Sequence, residues 1–147
     1  MVLSQMATRC PEAVFVGVGY IDCARLEFYL HATVEKTHCH ADHVPVAVWE
    51  ISDRDEQALD MYEGFPNYYR KCFQVAHMPD GSEIEGMIYI MREPMRHPAS
   101  PLNSYYRPIE TAYHHLGLRS QIKKVLRPAL ERSIDRCRPG TRLSRLL

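Results

Sequence analysis

Two groups of residues in this sequence have types and spacings that chemistry can use. The first is His38-Cys39-His40-Ala41-Asp42-His43. Its His-x-His-x-Asp-His pattern suits a dinuclear zinc centre, because imidazole nitrogens and a carboxylate are good zinc ligands. Such a centre also needs further ligands, spaced downstream. His97, His114 and His115 show no matching frame. The motif falls where a turn joins two strands, and a solvated loop accounts for it more simply, so no metal and no cofactor are expected.

The second group centres on Glu63. Ser52 is a good helix N-cap, and Asp55 sits at the N3 position of a capping box. Ala58, Leu59 and Tyr62 then share one helical face, and Gly64 closes the helix. Glu63 therefore lies at the helix C-terminus, facing the negative end of the dipole. That placement is unfavourable by about 0.3–1 kcal/mol, and partial burial would raise the carboxyl pKa further. A base poised upward suits proton transfer near neutral pH. The competing reading is an exposed helix-end acid, and local features alone favour it.

The elements that must position these groups can be read along the chain. A short helix over 4–9 stops before Pro11. Residues 13–21 read as a buried strand, in which Gly17 and Gly19 suggest a bulge or a close backbone approach. Residues 25–34 alternate and carry aromatic and β-branched side chains, as one strand would. A polar loop follows over 35–43, then a strand over 45–51 that contains Trp49. After the Ser52 helix, residues 68–77 and 83–91 form a hairpin around the Pro79-Asp80-Gly81 turn. Residues 93–103 hold three prolines and read as loop. Residues 104–116 read as a helix closed by Gly117. Ile122, Val125, Leu126, Ala129, Leu130 and Ile134 mark an amphipathic helical tail that Pro128 should split or kink. Strands with interspersed helices, an antiparallel hairpin and no regular βαβ alternation point to an α+β fold.

Composition narrows the class. The chain has 147 residues, 46% hydrophobic and 24% charged, which fits a globular protein with one real core. No apolar run approaches the roughly 18 residues of a membrane span, and nothing resembles a signal peptide. A cytoplasmic protein with no membrane partner is expected. The five cysteines are scattered without a Cys-x-x-Cys pair, as reduced thiols would be. Lys+Arg and Asp+Glu both number 18. Yet residues 119–147 carry nine bases and two acids. That segment has no aromatic residue to stack on bases, so nucleic acid is not expected. An internal contact or a homodimer contact is the simpler use of its charge.

Several segments taken together resemble a known family. They are Arg9-Cys10-Pro11-Glu12-Ala13, His31-Ala32-Thr33-Val34, Trp49-Glu50-Ile51-Ser52, Leu59-Asp60-Met61-Tyr62-Glu63-Gly64, Ser104-Tyr105-Tyr106 and Gly117-Leu118. In order and spacing they resemble the γ-glutamylcyclotransferase-like family, which includes AIG2-like proteins and γ-glutamylamine cyclotransferases. The resemblance spans about Met1 to Leu118. It implies a small mixed β-barrel-like sheet with flanking helices over 1–118, and it leaves 119–147 as a basic helical tail packed on that domain or on a partner. It also implies metal-independent release of an amine or amino acid from a γ-glutamyl amide, with formation of 5-oxoproline. Glu63 matches the family's catalytic glutamate. Tyr106 matches its substrate-contacting tyrosine, with a half-buried packing role as the alternative. The remaining substrate-binding positions are Met1, Val2, Leu3 and Gly64.

The resemblance has a gap at its start. Family members open with a strand and a Tyr-Gly-Ser-Asn turn, whose backbone N–H groups hold a substrate oxygen at a helix N-terminus. This chain begins Met1-Val2-Leu3-Ser4-Gln5-Met6 and lacks that turn. Met1 falls where many relatives have the Met that follows it. The expectation is that Met1 corresponds to that internal Met, with either a start further upstream or a natural truncation. A core strand and the oxyanion loop would then be missing, and a sheet edge would be left open. A relative without catalysis, acting as a small-molecule binding or interaction module, is the alternative function.

Overall fold

The computed structural model describes residues 3–139. Met1, Val2 and the residues after 139 lie outside the described part. Helix α1 (Leu3–Arg9) leads into β1 (Val14–Asp22). Strands β2 (Ala24–Tyr29), β3 (His31–Lys36) and β4 (His43–Glu50) follow, then α2 (Asp53–Glu63), β5 (Tyr69–His77) and β6 (Glu83–Met91). Helix α3 (Asn103–His115), the short α4 (Arg119–Gln121), a π-helical turn (Ile122–Leu126) and α5 (Arg127–Cys137) complete the order.

The strands form a four-stranded sheet in the order β4-β1-β5-β6, with β2-β3 as a separate hairpin. All pairings are antiparallel. Long registers join β1 to β4 and β5 to β6, but β1 and β5 meet only at Tyr20 and His77. From that junction the two strands part. This corrects the expectation that the strand over 13–21 is buried. Val14, Phe15 and Val16, on the parted half of β1, are exposed, while Ile21, near the junction, is buried. Both readings of the β1 glycines hold. The register with β4 shifts between Phe15 and Gly17. A side chain at Gly19 would meet the Met78 sulfur at 2.7 Å.

The expected single strand over 25–34 is also corrected. It is a hairpin turning at Leu30, which takes a left-handed φ of 64°. No Gly, Asn or Pro marks this turn, so the alternating pattern runs through it without a signal. The strained residue is pinned from outside, since its N–H donates to the Ala99 carbonyl at 2.8 Å. The expected loop over 35–43 likewise shrinks, because β3 continues to Lys36 and β4 begins at His43.

The main core joins Ile21, Leu26, Phe28 and Val44 of the strands to Tyr106, Tyr113, Ile122, Leu126 and Ala129 of the helices. Residues 119–137 form an unbroken helical run. Its π turn ends where Pro128 enters the first turn of α5, a position that needs no backbone N–H. Two basic residues of α5 hold it to β2. Arg132 Nε and Arg136 NH1 donate to the two oxygens of Glu27 at 2.9 and 3.0 Å, and their NH2 groups donate to the Leu26 and Phe28 carbonyls. The Glu27 carboxylate is only 4% exposed. A second, smaller core packs Met6 of α1 and Cys10, the residue after α1, on Leu59 of α2, with Trp49, Ile51 and Tyr89 around them. Among the described residues no helix is long and apolar enough to cross a membrane.

Candidate active site

Helix α2 begins and ends as its sequence demands. The Asp55 N–H donates to Ser52 Oγ at 3.1 Å, and the Ser52 N–H donates to Asp55 Oδ2 at 3.3 Å. At the other end Gly64 takes φ 66° and closes the helix, its N–H reaching the Asp60 and Met61 carbonyls. Glu63 is thus the last helical residue. Gly64 serves as the cap and does not line the cavity described next.

Glu63 opens onto a cavity of about 480 Å³, within the usual range for small-molecule sites. The walls are mostly apolar. They come from β3 (Ala32 to Val34), β4 (Pro45 to Trp49), β6 (Gly86 to Tyr89), Met6 of α1 and Leu59 of α2. Runs of consecutive strand residues line it, so it borders strand edges as well as faces. Tyr69 of β5 and Tyr105 of α3 complete the part near Glu63.

Two carboxylates three residues apart on α2 have opposite environments. Burial pushes Asp60 up, but hydrogen bonds from Lys71 and Tyr89 outweigh it and hold its carboxyl below the usual range. Lys71 Nζ lies 2.9 Å from Asp60 Oδ2 and 3.0 Å from Glu56 Oε1, and the Tyr89 hydroxyl donates to Asp60 Oδ1 at 2.5 Å. Glu63 is partly buried and has no hydrogen-bond or ion-pair partner among the described residues. Burial raises its pKa, and the positive charges of the amino terminus and of Arg9 offset only part of that. One carboxylate is fixed as an anion that ties α2 to β5 and β6. The other is left able to take and give a proton.

The tyrosines divide the same way. The Tyr69 hydroxyl donates to the Ala32 carbonyl at 2.7 Å, and the Tyr105 hydroxyl accepts from the Ala32 N–H at 3.0 Å. Burial pushes the Tyr105 hydroxyl up to about 12, and the nearby Glu63 charge adds to this. His31, whose ring lies 4.9 Å from that of Tyr105, is held below its ordinary pKa by burial and lies 3.3 Å from the Tyr68 hydroxyl.

Tyr106, the tyrosine assigned to substrate from sequence, lies elsewhere. It is 8% exposed in the main core, with its ring 5.9 Å from Phe28, and it does not line the cavity. Burial and the neighbouring Glu110 push its hydroxyl up to about 12. Adjacent helical residues point about 100° apart, so one of Tyr105 and Tyr106 faces the cavity and the other the core. Sequence reasoning singled out Glu63 and missed Tyr69 and Tyr105 as its neighbours. The Tyr-Tyr pairs were visible, but nothing local says which member turns toward Glu63. Met1 and Val2 lie outside the described residues, and Leu3 begins α1.

The histidine-rich loop does not converge. His40 Nδ1 lies 3.4 Å from Cys23 Sγ, Asp42 pairs with Arg25 at 3.5 Å, and His43 Nε2 lies 2.9 Å from Gln121 Oε1. Among the described residues no three His, Cys, Asp or Glu side chains are grouped as metal ligands would be.

The family model for gamma-glutamyl cyclotransferase, AIG2-like, matches residues 5–108, and the chain belongs to that family. Its fold is that of a solved gamma-glutamyl cyclotransferase, with a TM-score of 0.73 over 84% of this chain and 78% of the other, at 20% identity. An uncharacterised protein from Homo sapiens, known from an ensemble-refined crystal structure, is similar with a TM-score of 0.73 and 21% identity, over 84% of this chain and 81% of that one. No curated protein sequence matches the chain.

Proposed function

We propose that this chain is a γ-glutamylcyclotransferase that releases an amine or amino acid from a γ-glutamyl amide and forms 5-oxoproline. One observation carries the reading: Glu63, with a raised pKa and no hydrogen-bond or ion-pair partner among the described residues, opens into a mostly apolar cavity of about 480 Å³. Family membership supports it.

The reaction is intramolecular, so the substrate brings its own nucleophile and the entropy advantage of a tethered group. Glu63 takes a proton from the α-ammonium. The freed amine attacks the γ-carbonyl carbon, a C–N bond closes the five-membered ring, and the carbonyl oxygen takes up negative charge. When that charge folds back, the bond to the leaving amine breaks, Glu63 gives its proton to that nitrogen, and the second proton of the ring nitrogen follows it to the departing amine, so that a neutral lactam and an ammonium are the products. The cavity's share is to hold the glutamyl chain curled and to donate to the oxyanion. A hydroxyl has one donor and two acceptor sites. Tyr69 spends its proton on the Ala32 carbonyl, whereas Tyr105 accepts from the Ala32 N–H and keeps its own proton. Tyr105 is therefore the hydroxyl with a donor to offer. The partner is a small γ-glutamyl molecule, and the cytoplasm is where the enzyme acts.

The test is 5-oxoproline release from a panel of γ-glutamyl amines and γ-glutamyl amino acids by the wild-type chain and by Glu63→Gln. Release by the wild type that the variant loses supports the reading. Wild-type protein that binds these compounds without releasing 5-oxoproline would instead be the binding relative.

A further inference from the structure

The cavity reaches well beyond Glu63. Tyr69 lines the part near the carboxyl, and Gln74, Ala76 and Ile84 line it further along the same hairpin. Tyr69 and Ala76 both belong to β5, and their separation along the strand is roughly 20 Å at the usual strand rise. The walls of this arm are apolar, with Val34, Pro45, Val46, Ala76, Ile84 and Ile88 among them, and Gln74 is its one polar side chain. Among the described residues that line the cavity, Glu63 alone is charged, and none is Lys, Arg or His.

One wall of the arm has a gap. On β6 the positions of Ile84, Gly86 and Ile88 share a face, because strand residues alternate. Ile88 on that face packs on the main core. Gly86 stands opposite Gln74 in the register of β5 and β6, and both line the cavity. A Cβ at Gly86 would meet no atom within 4 Å, and its φ lies outside the left-handed region. Neither the backbone nor a packed neighbour therefore requires glycine there. Glycine weakens a strand interior and often marks a site of close approach by a ligand. At this position it keeps the arm open.

A γ-glutamyl unit fills only the part beside Glu63, since two methylenes separate its α-carbon from its γ-carbonyl. Whatever is bonded to the amide nitrogen must lie further along. An amino acid there would bring a second carboxylate, and no cation lines the arm to receive it. Burying an unpaired anion is costly, whereas a hydrocarbon chain suits apolar walls. We propose that this arm binds the amine half of the substrate, selecting γ-glutamyl amides of extended, uncharged apolar amines, and that Gly86 sets the length it accepts. The proposal rests on the cyclotransferase reading for the chemistry at Glu63.

Three compounds test it: γ-glutamyl methylamide, γ-glutamyl hexylamide and the γ-glutamyl amide of ω-aminohexanoate. Trp49 is the single tryptophan of the chain and lines the cavity. Fluorescence titration of Glu63→Gln, in which turnover is blocked, then gives a Kd for each compound. The hexylamide should bind about 30-fold or more tighter than the methylamide, since each buried methylene is worth about 4-fold. The ω-aminohexanoate amide should bind about 10-fold or more weakly than the hexylamide, for want of a partner for its anion. Gly86→Leu, added to that variant, fills the arm. It should weaken the hexylamide about 10-fold and leave the methylamide within about 2-fold. No binding of the hexylamide, equal affinities for the hexylamide and either other compound, or a Gly86→Leu effect that is absent or shared equally by the methylamide overturns the proposal. These are binding results, so they decide the arm whether or not 5-oxoproline forms. Equal kcat/KM for 5-oxoproline release from all three amides by the wild type would keep the cyclotransferase reading and overturn this one. Should Gly86→Leu fail to fold, Gly86→Ala applies the same test with a smaller shift in the same direction.

Discussion

Tyr69 and Tyr105 grip the same residue from opposite sides, one hydroxyl on the Ala32 carbonyl at 2.7 Å and the other on the Ala32 N–H at 3.0 Å. Ala32 lies in β3, whose only sheet partner among the described residues is β2. The two phenols supply main-chain hydrogen bonds that no neighbouring strand supplies. They come from β5 and α3 and reach β3, so they tie three elements together around Glu63.

This relationship gives an asymmetric prediction. Tyr69→Phe and Tyr105→Phe each remove one hydrogen bond, worth about 1 kcal/mol. Each should lower Tm by about 2–4 °C in a chain of this size. Only Tyr105→Phe also removes the uncommitted donor. Its kcat for 5-oxoproline release should fall about 10²-fold, the scale of a lost oxyanion donor, while Tyr69→Phe keeps most of its kcat. Steady-state kinetics beside thermal melts check this, and equal kcat losses would count against Tyr105 as the donor.

Tyr106 separates packing from contact with substrate. Tyr106→Phe should leave kcat and KM within about 2-fold, because the hydroxyl lies in the core, outside the cavity. Tyr106→Ala should cost about 3–5 kcal/mol by opening a void beside Phe28. Chemical denaturation measures the second, and kinetics the first. A large kinetic defect in Tyr106→Phe at unchanged stability would return Tyr106 to the active site.

Glu63 should be costly to stability and necessary to activity. Burial raises its folded-state pKa above the ordinary carboxylate value of 4.5. The folded protein therefore holds this proton more tightly than the unfolded chain. The stabilising contribution is complete below the unfolded pKa and is lost as pH rises through the folded one. At pH 7 Glu63→Gln should thus be more stable than wild type by about 0.5–2 kcal/mol, and the gain should shrink as pH falls toward 4. Melting curves from pH 4 to 8 read this directly. The same carboxyl should set the acid limb of the rate profile, with wild-type kcat/KM falling as pH drops through a value above 4.5.

Glu27 is expected to anchor the C-terminal helix. Its carboxylate is 4% exposed and takes Arg132 at 2.9 Å and Arg136 at 3.0 Å. Glu27→Ala leaves two guanidinium groups facing a buried gap and should cost about 3–5 kcal/mol. Calorimetry should show Tm lower by about 10 °C. Proteolysis should begin near α5, the element that loses its hold. A change under 1 kcal/mol would mean that apolar packing alone seats α5.

Local rules determined much of this molecule. The Ser52–Asp55 capping box, the Gly64 stop and the placement of Glu63 at a helix end follow from residue types a few positions apart. So do the 69–77 and 83–91 hairpin strands and the α+β class. The quoted motifs were enough to identify the family, because their order and spacing survive without knowledge of any contact. Tertiary structure decided the rest. Leu30 turns a hairpin with no turn residue because Ala99, far along the chain, holds it there. Val14, Phe15 and Val16 read as core but stand exposed because β1 parts from β5 beyond one residue pair. Tyr105 rather than Tyr106 lines the cavity of Glu63 because the rotation of α3 is set by packing on Phe28 and its neighbours, and both residues suit either face. The basic residues Arg132 and Arg136 spend their charge on Glu27, more than 100 positions earlier. Periodicity and capping act over a few residues, whereas burial and pKa shifts arise from contacts between distant parts of the chain.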